Sequence, residues 1–357
     1  MKCYNEYIVN VKKLKQNYLN IRKNLSNNTK LCAIVKANAY GIGSETVCKS
    51  LYGFVDFFGV ATLQEALTIR SYDKDTNILV LGQVDSEEIG VCSDNNISVS
   101  ISSYSQLQEI SKIDKKIQIH IQVNTGLNRY GIRSIVEFKK ALKIVDNNVN
   151  LNLQGVYSHF ATKEKDRLFI NIQFYKFLQF KNLVKDRNVL CHIANSYATN
   201  VSHKYQLDMV RNGFALYAGC DKTYQSSVLT IKSRIVHINY IKKGDTVGYD
   251  RTFTAKNKMK IAVIPLGYAD GFDRRLSNNF SVIINNKKCH VVGLVCMDSF
   301  MVDVSDIDVE VGDEVLILGQ SKDLAITLED YAKALSTSPY EILLKFNYKR
   351  MNYIVKK

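Results

Sequence analysis

No window of this chain approaches the roughly 18 consecutive apolar residues that a membrane-spanning helix needs, so no helical membrane anchor is expected. The opening segment, MKCYNEYIVNVKKLKQNYLN, lacks the apolar core of about 7–15 residues and the small-residue cleavage site of a secretory signal. No two of the eight cysteines form a CxxC pair. Scattered through 357 residues, they read as reduced core thiols and point to a cytoplasmic protein. The six histidines (His120, His159, His192, His203, His237 and His290) form no HxxxH or HxH pattern, so no metal site is expected. Also missing are an internal repeat, a low-complexity tract and a Gly/Ser/Pro-rich linker.

What is present is an ordinary globular composition with one odd number. Apolar residues make up 46% and charged residues 23%, enough to bury a sizeable core and too apolar for a disordered chain. Length alone suggests two domains. An imbalance of 48 Lys+Arg over 34 Asp+Glu leaves a net charge of +14, which first suggests nucleic acid or an anionic substrate. A nucleic-acid reading finds no RNP-like aromatic motif and no lysine-rich arm to support it. No nucleic-acid partner is therefore expected.

Short apolar, β-branched runs recur at 31–36, 57–60, 78–81, 97–101, 117–123, 155–159 and 189–193. Helical spacings lie before and between them: Val11, Leu14, Tyr18, Ile21 and Leu25 behind Asn10 as N-cap; Ile135, Phe138, Leu142 and Val145; Ile170, Phe174, Phe177 and Val184. With an eighth strand near 215–218, the pattern predicts βα units closing into a parallel (β/α)8 barrel over residues 1–225. From 226 to 357 the period changes to strands with hairpin breaks, at 234–240, 260–264, 281–284, 290–295 and 314–318. A short helix is expected near 328–335. The second domain therefore reads as mainly antiparallel β.

The stretch LCAIVKANAYGIGSETV (31–47) carries the clearest chemistry. An apolar run ends in Lys36, and side chains at the C-terminal end of a barrel strand line the active site. A lysine there suits carbonyl chemistry, because burial lowers its pKa and leaves a free amine. Taken alone, it reads more readily as an ordinary solvated lysine. Gly41-Ile42-Gly43 is a weak dinucleotide signal, since Thr46 occupies the place of the third glycine.

Further along stand NTGLNRYG (124–131), YSHFAT (157–162), ANS (194–196), VRNGFALYAG (210–219), GDTVGYDRTF (244–253), GYADGFDR (267–274) and CMD (296–298). Taken in order with the lysine segment, they resemble the alanine racemases, an amino-acid racemase family that depends on pyridoxal 5'-phosphate. The resemblance implies a barrel followed by a β domain. It also implies a homodimer with shared sites and conversion of L-alanine to the D-alanine of peptidoglycan. It makes Lys36 the lysine that bonds to the cofactor and the base for the D-enantiomer. Tyr249 becomes the base for the L-enantiomer, entering from the partner subunit. A phenol with its ordinary pKa near 10 is a poor base at neutral pH, so the implied relay of His159 and Arg211 supplies a cationic setting. Arg211 is also the implied partner of the pyridine nitrogen. Tyr40, Asn195, Ser196 and the backbone of Gly213 and Phe214 fall in the implied cofactor and phosphate site. Arg129 is implied at the substrate carboxylate, Met297 near the substrate, and Tyr268 at the entrance.

Two departures from the family pattern stand out. Several members carry a carbamylated lysine seven residues before the substrate arginine; here the residue is Gln122, so a neutral amide or a bound anion is expected to position Arg129. The C-terminal segment reads KFNYKRMNYIVKK, which puts Asn347, or with a one-residue slip Tyr348, where the family places a tyrosine beside the phosphate. An asparagine there would hydrogen-bond a hydroxymethyl group, which makes serine an alternative substrate. A pyridoxal-phosphate homeostasis protein shares only the barrel and has no second base. The two-domain decarboxylases use a Gly-rich phosphate loop and a C-terminal cysteine–acid pair that this sequence lacks.

Overall fold

The computed structural model describes residues 4–162, 166–219 and 227–357. By contact the chain forms two compact units. One comprises Asn17–Ala39 and Gly43–Leu216; the other takes the N-terminal residues through Gln16, Tyr40–Ile42 and Tyr217–Lys357.

The first unit is an eight-stranded sheet in which every ladder is parallel. Its strands are Lys30–Ile34, Phe57–Val60, Asn77–Val80, Ile97–Ile101, Ile117–Gln122, Leu151–Tyr157, Leu190–His192 and Met209–Asn212. The last pairs back with the first. The remaining seam is stitched by an Asn195–Arg211 bridge and by Asp208 N–H donating to Cys191 O at 3.1 Å. The result is a nearly closed barrel. Parallel strands buried on both faces need near-continuous apolar runs, and Phe57–Val60 is buried throughout. Ile97–Ile101 is equally buried although it alternates with Ser98 and Ser100. Those serines belong to a polar network inside the barrel.

The expected helices form, the first behind its expected cap and the second behind a cap the sequence reading did not name. Asn10 accepts from Lys13 N–H at 3.0 Å before Val11–Lys23, and Ser134 caps Ile135–Asp146. The eighth strand is a correction. It is Met209–Asn212, whereas Phe214–Ala218 is a short helix. The apolar stretch after Asn212 satisfies either period, and the pairing of Met209–Asn212 with Lys30–Ile34 decides the matter.

The second unit is built on a seven-stranded, mainly antiparallel sheet. Glu6–Asn10 sits inside it, antiparallel to Leu229–Arg234 and parallel to Asn352–Lys356. A three-stranded sheet of His237–Ile241, Met259–Ile264 and Phe300–Asp303 lies beside a small Thr246–Val247/Phe253–Thr254 ribbon. The strand expected at 234–240 is two strands, broken at Ile235-Val236, and the one expected at 290–295 ends at His290. Helices Leu328–Ala334 and Pro339–Lys345 follow the sheet. Among the described residues, no helix is long and apolar enough to cross a membrane.

Candidate active site

Lys36 stands two residues past the end of the barrel strand Lys30–Ile34 and opens an unusual turn. Ala37, Asn38, Ala39 and Tyr40 all have φ between 51° and 57°. Non-glycine residues pay about 1–2 kcal/mol each for that left-handed conformation, and such strain gathers at functional sites. Glu65 holds the turn: its Oε1 accepts from Ala37 N–H at 2.6 Å while Oε2 accepts from Ala61 N–H at 2.8 Å. Burial and the Arg129 guanidinium lower the Lys36 pKa, partly offset by Glu65. The free-amine fraction at neutral pH rises accordingly. Glu65 is a site residue that sequence reasoning missed. Its only signal is the Thr62–Glu65 capping box.

Arg211 is 3% exposed. Its guanidinium donates to Ser158 O at 2.7 Å, to His192 Nδ1 at 2.6 Å and to His159 Nδ1 at 3.2 Å, and it lies over the Tyr157 ring. All these acceptors are neutral, and Arg211 has no carboxylate partner among the described residues. Burial lowers its pKa to about 10. His159 is pushed down to about 3 by burial, Arg211, Arg129 and Lys36. The expected cationic relay is therefore corrected: the histidine is neutral and Arg211 alone carries the charge. Gln173, completely buried, supports this loop by donating to His159 O at 3.1 Å and accepting from Ala161 N–H at 2.8 Å. It too was missed, although a glutamine on the apolar face of helix Arg167–Asn182 is a visible anomaly.

Ser196 Oγ receives the N–H groups of Gly213 at 3.1 Å and of Ala215 at 3.3 Å. Ser196 and the Gly213 backbone, two of the groups expected to clamp a phosphate together with Tyr40 and Phe214, are thus in hydrogen-bond contact. Asn195 caps the helix Ser196–Val201 through Ala198 N–H at 3.0 Å. Hydroxyl and backbone N–H donors suit a phosphate. An uncompensated guanidinium with Lys36 and Arg129 suits an anionic ring system. The donor set in this unit therefore fits pyridoxal 5'-phosphate.

Gln122 is buried, and its Oε1 accepts from the Tyr157 hydroxyl at 3.0 Å. The neutral amide is engaged with Tyr157. Arg129 is exposed, with its guanidinium 5.9 Å from the Tyr130 ring centre.

In the second unit, Tyr40 packs against the rings of Tyr217 and Tyr340, and burial raises its pKa. Its hydroxyl stays protonated, as a phosphate donor requires. Tyr249 opens a single turn, Tyr249–Arg251, and is 66% exposed. It lines a cavity of about 730 Å³ with Met297, Asp298, Asn239 and Met301. Tyr268 N–H and Ala269 N–H donate to Cys296 O and Met297 O at 3.1 and 3.0 Å, so the GYADG and CMD segments are strapped together. Arg350 ties the C-terminal segment to buried Asp270 at 2.8 Å and to Asp298 at 2.5 Å. The Asn347 side chain caps the following turn through Lys349 N–H at 3.2 Å. Tyr348 packs with Tyr7 and Tyr353.

The family described as the alanine racemase N-terminal domain matches residues 9–221, and the alanine racemase C-terminal domain matches 228–354. Alanine racemase 2 of Caldanaerobacter subterraneus subsp. tengcongensis is 36% identical over 351 residues, 94% of this chain and 90% of that protein. The structure of alanine racemase from Bacillus anthracis with bound L-Ala-P has a TM-score of 0.90 at 29% identity, covering 100% of this chain and 96% of that one. That of Bartonella henselae alanine racemase with covalently bound pyridoxal phosphate has a TM-score of 0.89 at 28% identity, covering 99% and 100%.

Proposed function

From the premise that this chain belongs to the alanine racemase family, we propose that it interconverts L- and D-alanine with Lys36 and Tyr249 as opposed bases. The observation that carries the reading is the buried Arg211, which neutral acceptors surround and no carboxylate offsets among the described residues. When bound, pyridoxal 5'-phosphate delocalises the electron pair left behind when the Cα proton departs. Lys36 would anchor it. Ser196, Tyr40 and the backbone of Gly213 and Phe214 would hold its phosphate. Arg211 would face its ring nitrogen. A guanidinium gives up no proton there, unlike a carboxylic acid, so the electron sink stays weak and return of the proton to Cα is favoured.

Racemisation takes a proton from one face and returns one to the other, which two bases accomplish directly. The lowered Lys36 pKa favours an acceptor on one face. Tyr249 would serve the other, its phenolate favoured by the Arg211 charge and by a proton donated from His159. Because Arg211 donates to His159 Nδ1, that proton sits on Nε2. Arg129 would pair the substrate carboxylate, with Met297 and Tyr268 shaping access. The Asn347 Oδ1 is engaged as a local cap by Lys349 N–H, which leaves a serine hydroxyl one acceptor fewer and favours alanine.

The homodimer belongs to the same proposal: the exposure of Tyr249 and Met297 on one hollow is what a partner subunit would cover. So does a cytoplasmic location, supported by the thiols: five of the six described cysteines are buried and none is in a disulfide. The test is to load the chain with cofactor, add L-alanine or L-serine, and resolve the enantiomers over time. D-alanine must form faster than D-serine, and Lys36→Ala must cut both rates by about 10²–10⁴. An inert wild-type holoenzyme would falsify the reading.

A further inference from the structure

A chain of buried polar groups runs through the barrel interior to Arg211. His120 and His192 are both completely buried. Arg211 Nη1 lies 2.6 Å from His192 Nδ1, His192 Nε2 lies 3.0 Å from His120 Nδ1, and His120 Nε2 lies 3.0 Å from Gln154 Oε1. A guanidinium only donates, so His192 Nδ1 accepts. A neutral His192 then carries its proton on Nε2 and donates it to His120. His120 in turn donates from Nε2 to Gln154. Both tautomers follow from the arginine. Reversing the Gln154 amide would turn the chain round and set two donors against each other 2.6 Å apart.

Local backbone geometry makes room for this chain. The pairing of Ile117–Gln122 with Leu151–Tyr157 shifts register between Ile119 and His120, and a bulge re-aims the side chain beside it. Across from it, a Cβ on Gly155 would come within 2.1 Å of His120 Nδ1, so only glycine fits. Tyr157 stacks flat on His192, ring centres 4.9 Å apart. Ser98 Oγ donates to Gln154 Oε1 at 2.7 Å and so holds the amide in the orientation the histidines need.

We propose that His120, His192 and Gln154 are positioning residues for racemisation, orienting the Arg211 guanidinium and surrounding it with neutral acceptors so that its charge serves the cofactor ring and its N–H serves His159. This inference rests on the proposed function and deepens it. Burial pushes His120 down to about 4 and His192 well below its usual value, with Arg211 adding to both. The ionisable groups facing the two rings are Arg211 and Tyr157, while Cys32 and Arg129 act on Arg211. A protonated His192 would aim an N–H at Arg211 and break the chain.

The test begins with 15N NMR of the histidine-labelled holoenzyme. His120 and His192 must appear as Nε2–H tautomers that do not titrate between about pH 6 and 9, the window in which an ordinary imidazole responds. Gln154→Leu, which removes the terminal acceptor, is expected to lower kcat about tenfold, ~1.4 kcal/mol, with KM for alanine unchanged. Gln154→Glu keeps an acceptor but adds a charge that stabilises imidazolium. Its rate is expected to fall as pH drops from about 9 to 6, an acid limb that Gln154→Leu lacks. Nδ1–H tautomers, titration in that window, or two variants with the wild-type rate and pH profile would overturn the proposal. The NMR result does not require turnover, so a failure of the proposed reaction and a failure of this chain are read separately.

Discussion

At the scale of single residues, the site is governed by burial of cations and imidazoles rather than by ion pairs. Lys36 is lowered by burial and Arg129, and His159 is forced neutral beside Arg211. The histidines have a consequence for stability. An unfolded His159 takes up a proton below about pH 6.5, whereas the folded one resists until about 3. Between those values the unfolded chain binds more protons, so stability falls as pH falls through the window. His159→Asn removes one such group. Its melting temperature is expected to drop less between pH 7 and 5 than that of the wild type; equal drops would refute the account.

At the scale of elements, the second unit's site loops depend on close backbone approach and on one partly buried carboxylate with two cationic partners. A Cβ on Gly267 would lie 2.2 Å from Met297 O and 2.4 Å from Cys296 O. Gly267→Ala must therefore pry apart the segments bearing Tyr268 and Met297. A loss of about 1–3 kcal/mol is expected, together with a raised KM for alanine, read by melting and steady-state kinetics. Asp273 receives Arg275 at 3.0 Å and Lys345 at 2.5 Å, and these hold its carboxyl well below the usual carboxylate range. A depressed carboxylate contributes stability above its unfolded pKa near 4 and loses it on acidification below that. Asp273→Asn is expected to melt below the wild type at pH 7, and the gap should start to narrow only as pH falls below about 4, the unfolded carboxyl value. A gap of unchanged size between about pH 5 and pH 2 would assign the effect to packing.

At the scale of the whole molecule, the proposed shared site makes a prediction that no single chain can satisfy. Lys36→Ala and Tyr249→Phe homodimers each lack one base, and each is expected to lose about 10²–10⁴ in rate. Mixed and reassorted, half of the dimers would be hybrids. Each hybrid would contain one site with both bases intact if Tyr249 enters from the partner. Recovery of about a quarter of the wild-type activity is expected on that symmetry. No recovery on mixing would place both bases in one subunit. The net charge of +14 reads differently at this scale. In the proposed function Lys36, Arg129 and Arg211 would serve a small anionic cofactor and a carboxylate, and nothing in the structure gives the remaining basic excess a role.

Periodicity in the sequence was enough to determine seven of the barrel strands, three of the helices and the switch to antiparallel pairing, because burial on one or both faces writes a period of 2 or 3.6 into a chain. The lysine at a strand end and the ordered motifs likewise identified the family without coordinates. Other features were decided only by the fold. Met209–Asn212 became the eighth strand because it pairs with Lys30–Ile34, and Glu6–Asn10 joined the second unit through Leu229–Arg234 and Asn352–Lys356. Glu65, Gln173, His120 and His192 entered the site through contacts 12 to 72 residues apart in sequence. A local period records which face of an element is buried; it carries no trace of which distant polar atom will meet it there.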